Sequence, residues 1–187
     1  MRDDAERWNQ RYAATSAADA CAPEALERWP DLTLLLPAEG RCIDIASGPG
    51  AVTLWLAARG LDVTALDASG VAIDVLESAA TAAGLSNRID ARVIDLDDGL
   101  PQDLHDLDLI VCQRFRDTAL YPTIIERLRP GGLAIITVLS TVGAREPGQF
   151  HAPEGELLQA FGSDPRCDII QNLERDGVAH LVARRLP

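Results

Sequence analysis

Two carboxylates and a glycine turn, Asp44, Ser47-Gly48-Pro49-Gly50 and Asp67, are the residues of this chain whose types and spacing best suit a chemical task. Cys42, Ile43, Asp44 and Ile45 make an apolar run broken by one acid, and the turn after it lets backbone approach a ligand without a side-chain collision. A second run, residues 62–67, ends at Asp67, where a carboxylate at the carboxyl edge of a parallel sheet can accept both hydroxyl hydrogens of a ribose. That order suits an adenosine group. A dinucleotide fingerprint needs a third glycine three residues after the second, and counting from Gly48 and Gly50 puts Thr53 there. Nicotinamide is therefore disfavoured, and an oxidoreductase on a related sheet ranks last among the readings. Away from this stretch, Arg114 and Arg116 form a basic pair that stands out in an acidic protein and suits an anionic substrate group.

Such residues need a frame. The pattern predicts strand 41–46, helix 50–59, strand 62–67, helix 70–83, strand 90–95, strand 108–113, helix 118–129 and strand 133–139, an alternation that argues for a parallel sheet covered on both faces. Ser69 caps the second helix, Gly84 ends it, and Pro130-Gly131-Gly132 closes the helix that runs through Ile124, Ile125 and Leu128. Residues 101–106 join two strands without room for a helix. Late in the chain, residues 153–161 read as helical, and strands 167–173 and 178–184 flank Asp176-Gly177, a hairpin signal. The expected fold class is α/β: a Rossmann-like doubly wound sheet, mostly parallel, with a C-terminal antiparallel hairpin. Residues 1–30 read as a polar, alanine-rich, partly helical arm or lid carrying Trp8, Tyr12 and Trp29.

A chain of 187 residues suits one domain, 1–187, with one hydrophobic core. No apolar run approaches the roughly 20 residues that span a bilayer, and the amino terminus lacks an apolar signal core, so a cytoplasmic protein without a membrane partner is expected. The net charge of −12 repels a phosphate backbone, which disfavours nucleic acid as substrate. Cys21, Cys42, Cys112 and Cys167 lack metal-ligand or redox spacing; buried reduced thiols and no metal are expected. Nothing in the chain indicates an oligomeric state.

The acid, the small residues Ala46, Gly48 and Gly50, and then Asp67 resemble motif I and the following acidic strand end of class I S-adenosylmethionine-dependent methyltransferases. Members usually carry three glycines here, and Ala46 adds a methyl group, tolerated at negative φ and strained at positive φ. Trp8-Asn-Gln-Arg-Tyr12, Arg114-Phe115-Arg116, Leu128-Arg-Pro-Gly-Gly-Leu133 and Pro153-Glu-Gly-Glu-Leu-Leu158 look like the small tellurite-resistance and thiopurine-type methyltransferases. The resemblance implies a set of roles. Asp44, Ala46, Gly48, Gly50, Asp67, Ala68, Asp95, Leu96 and Gln113 would line S-adenosylmethionine, with Asp95 and Leu96 at the adenine and Gln113 near the transferred methyl group. Arg11 would pair with the cofactor carboxylate beneath an arm that also carries Tyr12, and Trp8 would join Arg114 and Arg116 at the substrate.

Methyl transfer from a sulfonium is a displacement with an activated donor, so alignment and desolvation are the main demands on the protein. A thiolate or another chalcogen anion needs no base; a hydroxyl or ammonium acceptor makes His151, Glu154 or Tyr12 the candidate base. The fourth strand is not followed by the Pro-Pro-aromatic pattern used on the amino groups of bases and glutamine. The leading reading is methyl transfer to a small molecule; the alternative is a cofactor-binding protein with a regulatory or scaffold duty and no turnover.

Overall fold

A computed structural model describes residues 2–16 and 32–187, so the expectations for Cys21 and Trp29 lie outside the described residues. Contacts divide the chain into two compact units, Met1–Gly99 and Leu100–Pro187. The strand order of the sheet is β3-β2-β1-β4-β5-β7-β6, in the α/β class expected: parallel apart from the C-terminal hairpin.

In the first unit, helix α1 (Arg2–Tyr12) and a short helical turn α2 (Leu32–Leu35) precede β1 (Gly40–Ile45), α3 (Ala51–Ala57), β2 (Leu61–Asp67), α4 (Gly70–Ala82) and β3 (Ile89–Val93). β1 pairs parallel with β2, and β2 with β3. Cys42, Ile43, Asp44 and Ile45 are all buried, as a strand covered on both faces requires, whereas β3 at the sheet edge has no buried residue. α4 turns Ala72, Ile73, Leu76, Ala79 and Ala80 to one side, and Leu76, Ala79 and Ala80 pack with Leu54 of α3 and Ala65 of β2. Both ends of α4 follow local chemistry. The Ser69 hydroxyl accepts from the Ala72 amide at 3.1 Å; beyond the helix Gly84 sits at φ +70, with the Leu85 amide bonded to the Ala80 carbonyl and the Gly84 amide to that of Thr81.

The second unit holds β4 (Leu107–Gln113), α5 (Tyr121–Arg127), β5 (Leu128–Leu139), α6 (Glu156–Gly162), β6 (Cys167–Arg175) and β7 (Val178–Arg185). β4 runs parallel to β5, which pairs antiparallel with β7, and β7 with β6. Asp176 at φ +53 and Gly177 at φ +78 make the two-residue turn whose twist matches the hairpin. The helix expected over 118–129 is shorter: the Asp117 carboxylate accepts the Ala119 amide and holds that segment in a turn, and Leu128 is already extended. Pro130-Gly131-Gly132 therefore closes no helix. It lies within β5, where the register jumps from Leu107 beside Leu128 to Leu109 beside Leu133, because proline offers no amide to the ladder. α6 starts at Glu156 rather than 153, after Gly155 at φ +76. Among the described residues no helix is long and apolar enough to cross a membrane, and no group of three or more His, Cys, Asp or Glu is placed to hold a metal ion.

Candidate functional site

In the first unit the chain leaves β1 through a turn that is held from three sides. The Ser47 amide donates to the Leu66 carbonyl at 3.0 Å, the Gly50 amide closes on the Ser47 carbonyl at 3.1 Å, and the Leu54 amide on the Gly50 carbonyl starts α3. Gly48 and Gly50 both occupy positive φ, +54 and +90. A β-carbon on Gly50 would lie 2.2 Å from Leu76 Cδ1, so that glycine lets α4 close on the turn; one on Gly48 would lie 3.0 Å from the Tyr12 hydroxyl. Ala46 sits at φ +54, the strained case for its extra methyl group.

Asp67, buried at the end of β2, ties this turn to the next. Its Oδ2 accepts the Gly48 amide at 2.7 Å and its Oδ1 accepts the Ser69 amide at 2.8 Å. Burial raises its pKa, and the amide bonds work against that rise. Each oxygen keeps a further lone pair for a ligand hydroxyl. Asp44 is fully enclosed and accepts the Thr53 hydroxyl at 2.7 Å. Burial pushes its pKa up to about 7, opposed by the Thr53 bond and assisted by the charge on Asp67. Thr53, which entered the sequence reading only as the residue that breaks a dinucleotide fingerprint, is thus the partner of the strand acid.

The arm lies on this turn through a residue that sequence reasoning passed over. Asn9 Oδ1 accepts from the Ser69 hydroxyl at 2.7 Å and the Val71 amide at 3.3 Å, so α1 is fastened to the start of α4. Trp8 stacks on Tyr12 with centroids 5.7 Å apart, and Arg11 lies 5.5 Å from the Trp8 ring. The Arg11 guanidinium is therefore engaged with the arm's own aromatic face. Burial, then the neighbouring Asp67 charge, raises the Tyr12 pKa, so its phenol keeps its proton at neutral pH and serves as a donor rather than a base. Ala68 follows Asp67 half-buried; Asp95 is exposed and accepts the Asp97 amide, capping a turn of 3-10 helix in which Leu96 is buried.

In the second unit Gln113 ends β4, half-buried, with Nε2 donating to the Cys112 carbonyl at 3.2 Å. Arg114 is exposed and held at φ +59, its amide bonded to the Thr137 carbonyl at 2.7 Å. Arg116 departs from the exposed basic pair expected. Its Nε and Nη2 grip the two Glu156 oxygens at 2.8 and 2.5 Å, and the Tyr121 hydroxyl donates to Oε1 at 3.2 Å. The Arg116 guanidinium holds the Glu156 carboxyl below its ordinary range. The carboxylate that does this is Glu156; Glu154, two residues earlier, is exposed. His151 Nδ1 accepts the Gly148 amide at 2.9 Å, which leaves Nε2 as the protonated nitrogen of the neutral ring. Cys42 and Cys112 are buried free thiols and Cys167 is half-buried; burial, then Asp164 and Asp168, pushes the Cys167 thiol up to about 11. No local signal marked Thr53, Asn9 or Glu156, because each acts on a residue far away in the chain.

Residues 42–132 match the family model of a methyltransferase domain. No curated protein sequence matches the chain. Among solved structures, the chain is similar to the [4+2]-cyclase SpnF at 17% identity and a TM-score of 0.75, covering 96% of this chain and 93% of that one. It is also similar to an S-adenosylmethionine-dependent methyltransferase from Methanosarcina mazei (22% identity, TM-score 0.67, covering 84% of this chain and 98% of that one). A third is TehB from Haemophilus influenzae, at 19% identity and a TM-score of 0.68, covering 97% of this chain and 66% of that one. At such identities each likeness reports the fold. The domain match supports a methyltransferase domain over residues 42–132.

Proposed function

We propose that this chain is an S-adenosylmethionine-dependent methyltransferase that moves the methyl group to a small-molecule acceptor. The observation that carries the reading is the Asp67 carboxylate, buried at the end of β2 and held by the Gly48 and Ser69 amides, beside a turn whose Gly48 has no side chain beneath the Tyr12 hydroxyl. These residues fit an adenosine group. Asp67 retains acceptor capacity for two ribose hydroxyls, Gly48 admits close approach of backbone, and Tyr12 supplies a donor from the arm. Asp44, with a pKa near neutrality, is suited to a water-mediated contact with the cofactor's ammonium group.

When bound, the cofactor supplies an already activated methyl group on a sulfonium. The chain's own residues bind and orient: Asp67 fixes the sugar, Gly48 and Ala46 shape the turn, and α1 covers it through Asn9. A net charge of −12 supports a small acceptor over a nucleic acid. The arm motif and the Arg114-Phe115-Arg116 cluster support a kinship with the tellurite-resistance and thiopurine type.

A second reading, cofactor binding without turnover, is favoured by one observation, Ala46 at φ +54 where the motif that this turn resembles has glycine. Calorimetric titration with S-adenosylmethionine, S-adenosylhomocysteine and NAD separates the readings when followed by an acceptor panel. The first two ligands should bind and NAD should not, and Asp67→Asn should weaken binding by about tenfold or more, because an amide group would face backbone donors and ribose hydroxyls with one acceptor fewer. Unchanged affinity in Asp67→Asn would remove that residue from the site; binding without any product across the panel would favour the second reading.

A further inference from the structure

In the second unit the sheet ends at β6, which among the described residues pairs with β7 alone. Such an edge leaves a row of backbone N–H and C=O groups on its outer side, and chains that do not use it blunt it with shortness, charge or proline. β3, at the other end of the strand order, is blunted: it has five residues, and Arg92 closes on Asp90 at 2.7 Å. β6 is nine residues long, Cys167-Asp-Ile-Ile-Gln-Asn-Leu-Glu-Arg175, and holds neither lysine nor proline. Its Ile169, Ile170 and Leu173 are only half-buried, and Leu158 of α6, the helix packed beside it, is exposed.

Register decides what this edge can pair with. Ile169 lies beside Ala183 of β7 and Gln171 beside Val182, so Ile170 is an extra residue, a bulge. Asp168, Gln171, Leu173 and Arg175 therefore share one face of the sheet, and Ile169, Asn172 and Glu174 share the other. A second copy joining edge to edge and antiparallel is related by a twofold axis perpendicular to the sheet, so opposed residues must lie on the same face. Centring that axis on Asn172 satisfies the condition throughout. Gln171 then meets Leu173 of the other copy, Glu174 meets the bulged Ile169–Ile170 pair, and Asp168 meets Arg175, twice by symmetry. Both charges are exposed, and Arg175 has only a long contact, 3.9 Å, to Asp176. Neighbouring registers lose this match: an axis on Leu173 sets Asp168 against Gly177, and one on Gln171 sets Arg175 against Arg166.

We propose that β6 is a self-association surface: two copies of this chain join edge to edge, antiparallel about Asn172, with Asp168 of each facing Arg175 of the other. The pairing gives the outer backbone groups partners and covers Ile169, Ile170 and Leu173 further. A twofold axis perpendicular to the sheet keeps α6 of both copies on one side of the joined sheet, where Leu158 offers apolar surface beside the seam. Exposed charge pairs are worth little each, so the backbone ladder and the apolar side chains carry the affinity while the charges select the register. Each copy has one such edge and the pairing consumes it, so the assembly closes as a dimer and does not grow. A net charge of −12 on each chain opposes the encounter at long range, which makes the dimer reversible and dependent on protein concentration.

The test is sedimentation velocity on the full chain across a concentration series, with no ligand added, so its failure leaves the methyl-transfer reading intact. A monomer–dimer equilibrium is expected. Asp168→Arg and Arg175→Asp each set like charges opposite one another twice and should raise the dissociation constant about tenfold or more. The double variant exchanges the two charges and should return it close to that of the parent. Asn172→Cys reads the register separately: on the twofold axis the two β-carbons lie about 4.5–5.5 Å apart, so an intermolecular disulfide should form in air. Asp168→Cys, away from the axis, should crosslink no more than the parent. A monomer at every concentration overturns the proposal, as does a dimer indifferent to both single exchanges. A double variant as weak as either single one, or crosslinking at Asp168→Cys in preference to Asn172→Cys, overturns it equally.

Discussion

At the scale of single residues, two positions in the first unit set opposing energies against each other. Ala46 holds φ +54, which costs an L-residue roughly 1–2 kcal/mol, whereas glycine would lose about 0.4–1 kcal/mol more chain entropy on folding. The strain is the larger effect, so Ala46→Gly should stabilise the protein by about 0.5–1 kcal/mol, seen as a rise in Tm of about 1–4 °C in calorimetry. A drop in Tm would mean that the alanine methyl group makes packing worth more than the strain. Asp44 binds a proton more tightly in the native state, with its pKa raised from 3.8 to about 7 chiefly by burial. Below 3.8 native and unfolded chains are both protonated there. Between 3.8 and 7 only the native state holds the proton, so stability falls by about 1.4 kcal/mol per pH unit from this group, and above 7 it levels off. Asp44→Asn lacks that slope. Urea unfolding at several pH values should therefore show the variant gaining on the parent from pH 5 to 7; parallel curves would mean that Asp44 titrates as an ordinary carboxylate.

At the scale of elements, the arm and the loop after β4 are each held by a few polar bonds. Asn9 joins α1 to the Ser69 cap of α4, and the stack of Trp8 on Tyr12 lies on the same helix. Asn9→Ala should speed hydrogen exchange across residues 2–12 and weaken S-adenosylhomocysteine binding, with little change in global unfolding; equal exchange in variant and parent would show that the aromatic pair alone seats the arm. In the second unit, Arg116 and Glu156 fasten the segment after β4 to the start of α6, and little of either side chain is exposed. Glu156→Gln should cost about 1–3 kcal/mol at pH 7. Since Arg116 depresses the Glu156 pKa, this stabilisation is complete above the ordinary value of 4.5 and disappears as pH falls through the lower native value. The gap between variant and parent in denaturant should therefore close in acid; a gap that persists there would place its cause in packing rather than charge.

At the scale of the molecule, the features readable in the sequence are those that a few neighbouring residues decide. The Ser47-Gly48-Pro49-Gly50 turn, the Ser69 cap, the Gly84 stop and the Asp176-Gly177 hairpin each follow from local backbone preferences, and each stands where the sequence pattern puts it. Alternating apolar runs likewise specify an α/β sheet, since period and punctuation suffice to separate strand from helix. Where local signals compete they mislead: Pro130-Gly131-Gly132 reads as a helix stop and is an irregular stretch of β5, because the pairing of β4 with β5 outweighs the turn preference. The sequence by itself therefore determined the element order, the glycine turn and the acid at the end of β2, which are short-range properties of the chain. Only the tertiary structure decided which polar groups meet: Thr53 with Asp44, Asn9 with Ser69, Arg116 with Glu156, and Thr137 with His180, separated by 9, 60, 40 and 43 positions. Hydrogen bonds and ion pairs act over a few ångströms of space irrespective of distance along the chain, so no periodicity or spacing rule records them until the fold has brought the partners together.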